Sequence, residues 1–172
     1  MSTPSIAIRR TTELDWRQVR ALRLEMLADT PLAFGETVEA AGQLDENVWR
    51  ERARRGESPV GIALAAISTD KSGAECWVGT MGGYRDPSVG SMLVGVYVSP
   101  GFRGTAAGVT DLLLSGIEDW ARAAGDVLTL HVHTENARAV AAYERRGYRA
   151  TGRLFPYILN PHQREMEMKK TL

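Results

Sequence analysis

The run Leu93 to Gly108, LVGVYVSPGFRGTAAG, sets a β-rich segment against a proline and then a turn made of Arg103, Gly104, Thr105, Ala106, Ala107 and Gly108. A turn of this kind in front of a helix is an anion site in outline. The first N–H groups of a helix have no intrahelical partner, and the helix dipole adds partial positive charge at the same end. Gly104 and Gly108 let the backbone approach phosphate oxygens, the small residues between them keep the turn open, and Arg103 adds a cation. The same turn also serves as a plain strand-to-helix connection. Two other nucleotide sites are excluded by spacing: no Gly-Lys-Ser/Thr follows, as a P-loop requires, and the full G-x-G-x-x-G of a dinucleotide site is missing.

His131 and His133 lie two apart on a strand-like run and so share a face, where either could relay a proton. They also form half of a zinc site. With one cysteine, Cys76, and no carboxylate at ligand spacing, packing roles are the simpler reading and no metal is expected. Arg145, Arg146, Arg149 and Arg153 form either a local basic site or a solvated helix end and strand.

The elements that must position these groups follow from periodicity. Ile6 to Arg10 alternates as a strand before a capping arrangement at Thr12 and Asp15. Trp16, Val19, Leu22, Met26 and Leu27 then recur at helical spacing until Thr30-Pro31. A loop holding Phe34, Gly35, Glu36 and Thr37 leads to a second helix from Leu44 to Arg54. Three strands are predicted at Val60 to Ile67, Glu75 to Tyr84 and Ser91 to Ser99, an antiparallel meander. Val109, Leu112, Leu113, Ile117, Trp120, Ala121 and Ala124 mark one face of a long helix ending at Gly125. Leu128 to Val132 reads as a strand, Asn136 caps a short helix stopped by Gly147, and Arg149 to Phe155 with Glu165 to Lys170 reads as a hairpin. The order describes an α+β protein with a mixed sheet covered on both faces by helices.

At 172 residues, 44% hydrophobic and 24% charged, the chain is expected to form one folded domain, residues 1–172. Lys plus Arg and Asp plus Glu are equal at 21 each, so no global field draws it to nucleic acid or a membrane, and neither is an expected partner. A lone cysteine forms no internal disulfide, and no run approaches the ~20 apolar residues of a membrane helix. A cytoplasmic protein is the expectation.

The segment Arg103 to Gly108 resembles the cofactor motif of the GNAT acetyltransferases, R/Q-x-x-G-x-G/A after a strand and proline, with Ala106 standing where the family usually has its first motif glycine. The run Leu130 to Tyr148 is similar to the family's later motif, N-x-x-A-x-x-x-Y-x-x-x-G-Y/F, with Asn136, Ala139, Tyr143, Gly147 and Tyr148 in place. The resemblance implies a mostly antiparallel sheet of about seven strands with about four helices, splayed between the fourth and fifth strands. It implies acetyl-CoA as co-substrate, with Asn136 also at its site and Val96, Tyr97 and Val98 on a strand whose backbone pairs with the pantetheine arm.

By the same resemblance Tyr143 is the general acid that protonates the leaving thiolate, and Glu36 is a possible base or acceptor contact. The implied activity is N-acetylation of a primary amine by direct attack, on a small molecule, an antibiotic, or a peptide or protein N-terminus. The alternative is a non-catalytic acyl-CoA sensor on the same fold. Tyr157, Asn160, His162 and Gln163 would form a polar acceptor rim, and a homodimer through an exposed sheet or hairpin is compatible with the pattern.

Overall fold

A computed structural model describes residues 5–104, 106 and 108–172. In chain order it contains β1 (Ser5–Arg10), α1 (Trp16–Asp29), α2 (Val38–Gly42), α3 (Glu46–Arg54), β2 (Gly61–Thr69), β3 (Glu75–Asp86), β4 (Gly90–Val98), α4 (Val109–Arg122), β5 (Val127–His133), α5 (Ala137–Arg145), β6 (Arg149–Tyr157) and β7 (Asn160–Thr171). The strands form one sheet in the order β1-β2-β3-β4-β5-β7-β6. Every neighbouring pair is antiparallel except β4 with β5.

Both faces are covered, so the central strands are apolar almost throughout: in β2 only Ala63 and Thr69 escape full burial. On one face α4 seats Val109, Leu113, Leu114, Ile117 and Ala121 against Leu64, Val78, Leu93 and Leu130. On the other, Leu22, Met26 and Leu27 of α1 pack with Ala41 of α2, Trp49 of α3 and Tyr97 of β4. Each fully buried Leu or Ile here stabilises the fold by about 1.5–3 kcal/mol.

The entry to α1 is fixed by Asp15, whose carboxylate accepts from the Thr12 backbone N–H at 2.8 Å and from Arg9 at 2.8 Å. Two expectations change. Residues 38–42, expected to be loop, form α2, capped by the Thr37 hydroxyl accepting from Ala40 N–H at 3.2 Å, so five helices flank the sheet. On α4 the buried face includes Leu114 (4% exposed) rather than Leu112 (47%) or Ala124, because 100° per residue carries Leu112 toward solvent from the line through Leu113 and Ile117.

Candidate active site

β4 and β5 run side by side only from Ser91↔Leu128 to Leu93↔Leu130, after which they diverge and open a cleft. The divergence has a local cause in β4. Thr80 pairs with Tyr97 and Gly82 with Val94, so Gly95 and Val96 together face Met81, a bulge with Gly95 at φ 60°. That left-handed φ is strained for any residue with a Cβ, and the inserted residue bends the strand away from β5. Beyond the bulge, Ser99 N–H donates to Val78 at 2.8 Å, so by strand alternation the peptide groups of Val98 turn from β3 toward the cleft. Side chains alternate too: Val96 and Val98 join the α4 core, and Tyr97 joins the α1–α3 core.

One cavity, of about 320 Å³, runs along this splay between β4, the start of α4 and α5. Gly104 (φ 92°) and Gly108 (φ 64°) shape the turn that enters α4, and Gly108 caps the helix without a side-chain cap bond. Leu112 N–H donates to Gly108 carbonyl at 3.0 Å, so the N–H groups of Val109 to Asp111 have no intrahelical acceptor. Ala106 has no positive φ, so the alanine at the variant motif position carries no backbone strain. Thr105 and Ala107 lie outside the described residues.

Arg103 lines the cavity with part of its hydrogen bonding already spent. Its Nε donates to Val98 carbonyl at 2.7 Å and its guanidinium pairs with Asp29 at the end of α1, so it ties the turn to that helix. Arg138, Arg145 and Arg146, of α5 and the residue after it, line the cavity together with Arg103. Arg146 is held by Asp111 at 2.7 Å, bridging α5 to the start of α4, whereas Arg149 donates to the Glu144 and Tyr148 carbonyls and Arg153 lies over Phe155. The expected basic cluster is therefore divided. Arg138 carried no signal beyond its place one turn after a helix cap.

Asn136 caps α5, its Oδ1 accepting from Ala139 N–H at 3.2 Å, and lines the same cavity. One turn further, Tyr143 is half-buried on the cavity wall, edge-on to Tyr148 at 5.6 Å. Burial pushes its phenol pKa well up, with Arg146 pulling slightly the other way, so it is held as a proton donor. Tyr97 is buried, donates to Glu25 at 3.0 Å and has its pKa pushed up to about 12, by burial first and then by Glu25.

A second and larger cavity, of about 910 Å³, lies on the other side of the bulge under α1 and α3. The two cavities share Ala33, Phe34, Leu93, Val94, Gly95 and His131 in their walls. Glu36 lines the second one, but not as a free base. Arg52 grips both its oxygens (2.7 and 3.0 Å) and Arg23 adds a bond at 2.9 Å. Burial alone would raise its pKa; the two guanidiniums outweigh that and hold it below the ordinary carboxylate range. The expected base role of Glu36 does not fit this arrangement. Arg55 lines the wall beside them, its pKa lowered by partial burial and then by the like charges of Arg52 and Arg23.

The two histidines differ. His133 is 1% exposed, its Nδ1 accepts from Glu135 N–H at 3.2 Å and its Nε2 meets Gln163 at 3.3 Å, so both ring nitrogens are occupied. His131 stacks on Phe155 at 4.5 Å and reaches both cavities, with Nε2 3.9 Å from Oε2 of Glu167. Glu167 is buried, accepts from Thr151 through Oε1, and its Oε2 has no hydrogen-bond donor among the described residues. Sequence periodicity placed the pair of histidines on one face but carried no sign of the carboxylate, which comes from the neighbouring strand at His131↔Glu167. Tyr157, expected on a polar acceptor rim, is 2% exposed and packs edge-on against His133 at 4.8 Å.

Comparison with known proteins bears on this cleft. Residues 20–148 match the acetyltransferase (GNAT) family. Among curated proteins none matches the sequence. Solved structures share the fold over nearly the whole chain. An acetyltransferase of the GNAT family from Streptococcus pneumoniae superimposes with a TM-score of 0.75 at 20% identity, over 98% of this chain and 99% of that one. The Salmonella typhimurium protein yncA, solved with its cofactor acetyl-CoA, gives 0.72 at 18%, over 98% and 94%. PaiA N-acetyltransferase from Thermoplasma acidophilum, in complex with coenzyme A, gives 0.72 at 16%, over 98% and 99%.

Proposed function

The chain belongs to the acetyltransferase (GNAT) family, and from that premise we propose that it transfers the acetyl group of acetyl-CoA directly to a primary amine. The observation that carries the reading is the meeting of two cavities at the Gly95 bulge, one beside the open end of α4 and one under α1 and α3. A two-substrate transfer needs that arrangement, since each reactant must enter from its own side and meet at one point.

Acetyl-CoA supplies an acetyl group already activated as a thioester. The start of α4, where Thr110 lines the cavity, and the guanidiniums of Arg138 and Arg145 would hold a diphosphate there. The cleft-facing peptide of Val98, with Val96 and Asn136 nearby, offers the extended arm a strand edge and a polar contact; the Val98 carbonyl is already used by Arg103, leaving its N–H. Backbone N–H groups at the bulge would polarise the thioester carbonyl. Tyr143, whose phenol is protonated at neutral pH, donates a proton to the departing sulfur.

The amine must lose a proton as well. With a pKa near ~10.4, holding an alkyl amine neutral at pH 7 costs about 4–5 kcal/mol. His131 is the group in both cavities able to accept that proton, with the buried Glu167 behind it to steady the imidazolium. The test is a thiol-release assay with acetyl-CoA across amines, amino acids and peptides. Saturable release with one acceptor class, reduced at least tenfold in His131→Gln, supports the reading. Stabilisation by acetyl-CoA with no release for any amine would make the chain a binding module instead.

A further inference from the structure

Glu36 sits among more positive charge than it can neutralise. Four arginines, Arg23, Arg52, Arg55 and Arg85, line the cavity under α1 and α3 against two carboxylates, Glu36 and Glu165. Both oxygens of Glu36 are taken, Oε1 by Arg52 and Oε2 by Arg52 and Arg23. Arg23 uses only its Nε in that contact, and among the described residues its terminal nitrogens have no hydrogen-bond acceptor and Arg55 donates to no side chain. Arg85, by contrast, is stacked over Trp120 at 5.4 Å.

The position of the surplus matters as much as its sign. The Arg23 guanidinium lies 5.2 Å above the ring of Phe34, and Phe34 lines both cavities. An anion resting on Arg23 and Arg55 would thus share one cavity with the bulge where an amine must attack. A polycationic acceptor would bring like charge into this wall, whereas a carboxylate would complete it and accept the paired hydrogen bonds that a guanidinium offers.

Resting on the acetyltransferase reading above, we infer that the acceptor is a small amine that also carries a carboxylate, as an amino acid does, with Arg23 and Arg55 binding the carboxylate. Glu36 then acts as a positioning residue that holds Arg23 and Arg52 in place.

The experiment compares matched acceptors: a panel of amino acids, the same compounds as carboxamides, and their decarboxylated amines. The expected result is a kcat/KM at least tenfold higher for the acids than for the amides. Arg55→Gln should bring that ratio toward one, chiefly through KM of the acid, and Arg55→Lys should restore part of it. Without acetyl-CoA, calorimetric titration of the N-acetylated acid should show binding that its amide lacks and that Arg55→Gln weakens at least tenfold. Amides accepted as well as acids, or an acid preference unchanged in both Arg55→Gln and Arg23→Gln, would overturn the inference. Release with neutral or cationic amines only would defeat it while leaving the acetyltransferase reading intact. No release with any amine, together with no binding of acetyl-CoA, would remove both.

Discussion

On the α4–α5 side of the cleft the groups that face a ligand are largely backbone, shaped by three glycines at positive φ and by a helix end, all within residues 95–111. On the α1–α3 side they are charged side chains: Arg23 and Arg52, from separate helices and both bonded to Glu36, with Arg55 beside them. A backbone site should tolerate changes of side chain and resist changes of φ. A side-chain site should do the reverse, and losing one charge should disturb its partners.

The largest effect is expected where that mutual dependence is strongest. Glu36→Ala leaves Arg23 and Arg52 facing each other without their carboxylate, and breaking such a half-buried cluster should cost about 2–4 kcal/mol in denaturant unfolding. A loss below half a kcal/mol would mean that the cluster does not depend on its carboxylate.

Tyr143→Phe should come next, lowering turnover about tenfold to a hundredfold with the KM for acetyl-CoA nearly unchanged, because the ring stays and only the proton donor goes. Unchanged turnover would remove Tyr143 from the chemistry. On the backbone itself, Gly108→Ala forces a Cβ into left-handed φ at a cost of about 1–2 kcal/mol, read as lower stability or weaker acetyl-CoA binding, although nothing lies within 4 Å of the added carbon. Ala106→Gly, at a residue without positive φ, should stay within about 0.5 kcal/mol. Equal effects at 106 and 108 would contradict the contrast between the regions.

The smallest effects should appear in pH dependence. Glu36 is held below its ordinary range when folded, so its contribution is complete above the unfolded carboxyl pKa, ~4.3, and fades as pH falls through the folded value. Tyr97 moves oppositely: its contribution is complete below the unfolded phenol pKa, ~10, and fades as pH rises through about 12. Glu36→Gln should therefore flatten the acid limb of a stability profile and Tyr97→Phe the alkaline limb, each leaving the other in place.

The same contrast explains what could be read from sequence. The turn at Gly104 to Gly108, the Asn136 cap and the Tyr143 position are local patterns, and element order was legible down to the final hairpin. The Gly95 bulge was not, since one glycine inside a strand carries no register, and α2 was hidden in a loop because five residues are too few for a helical period. Glu36 was visible as a loop carboxylate, but its protonation depends on Arg23 and Arg52, which only the packing of α1 against α3 brings within 3 Å. The bonds of Arg103 were hidden for a related reason. Its motif position marks the turn, whereas Asp29, 74 residues away in sequence, decides where its charge is spent.

The central claim is that the cavity along the β4–β5 splay takes acetyl-CoA by its backbone. The direct measurement is calorimetric titration of acetyl-CoA into the protein at two salt concentrations. One-to-one saturable binding that weakens as salt rises, as expected for a diphosphate held by a helix end and arginines, is the predicted result. No heat of binding at either salt, at concentrations well above those of ordinary substrates, would contradict it.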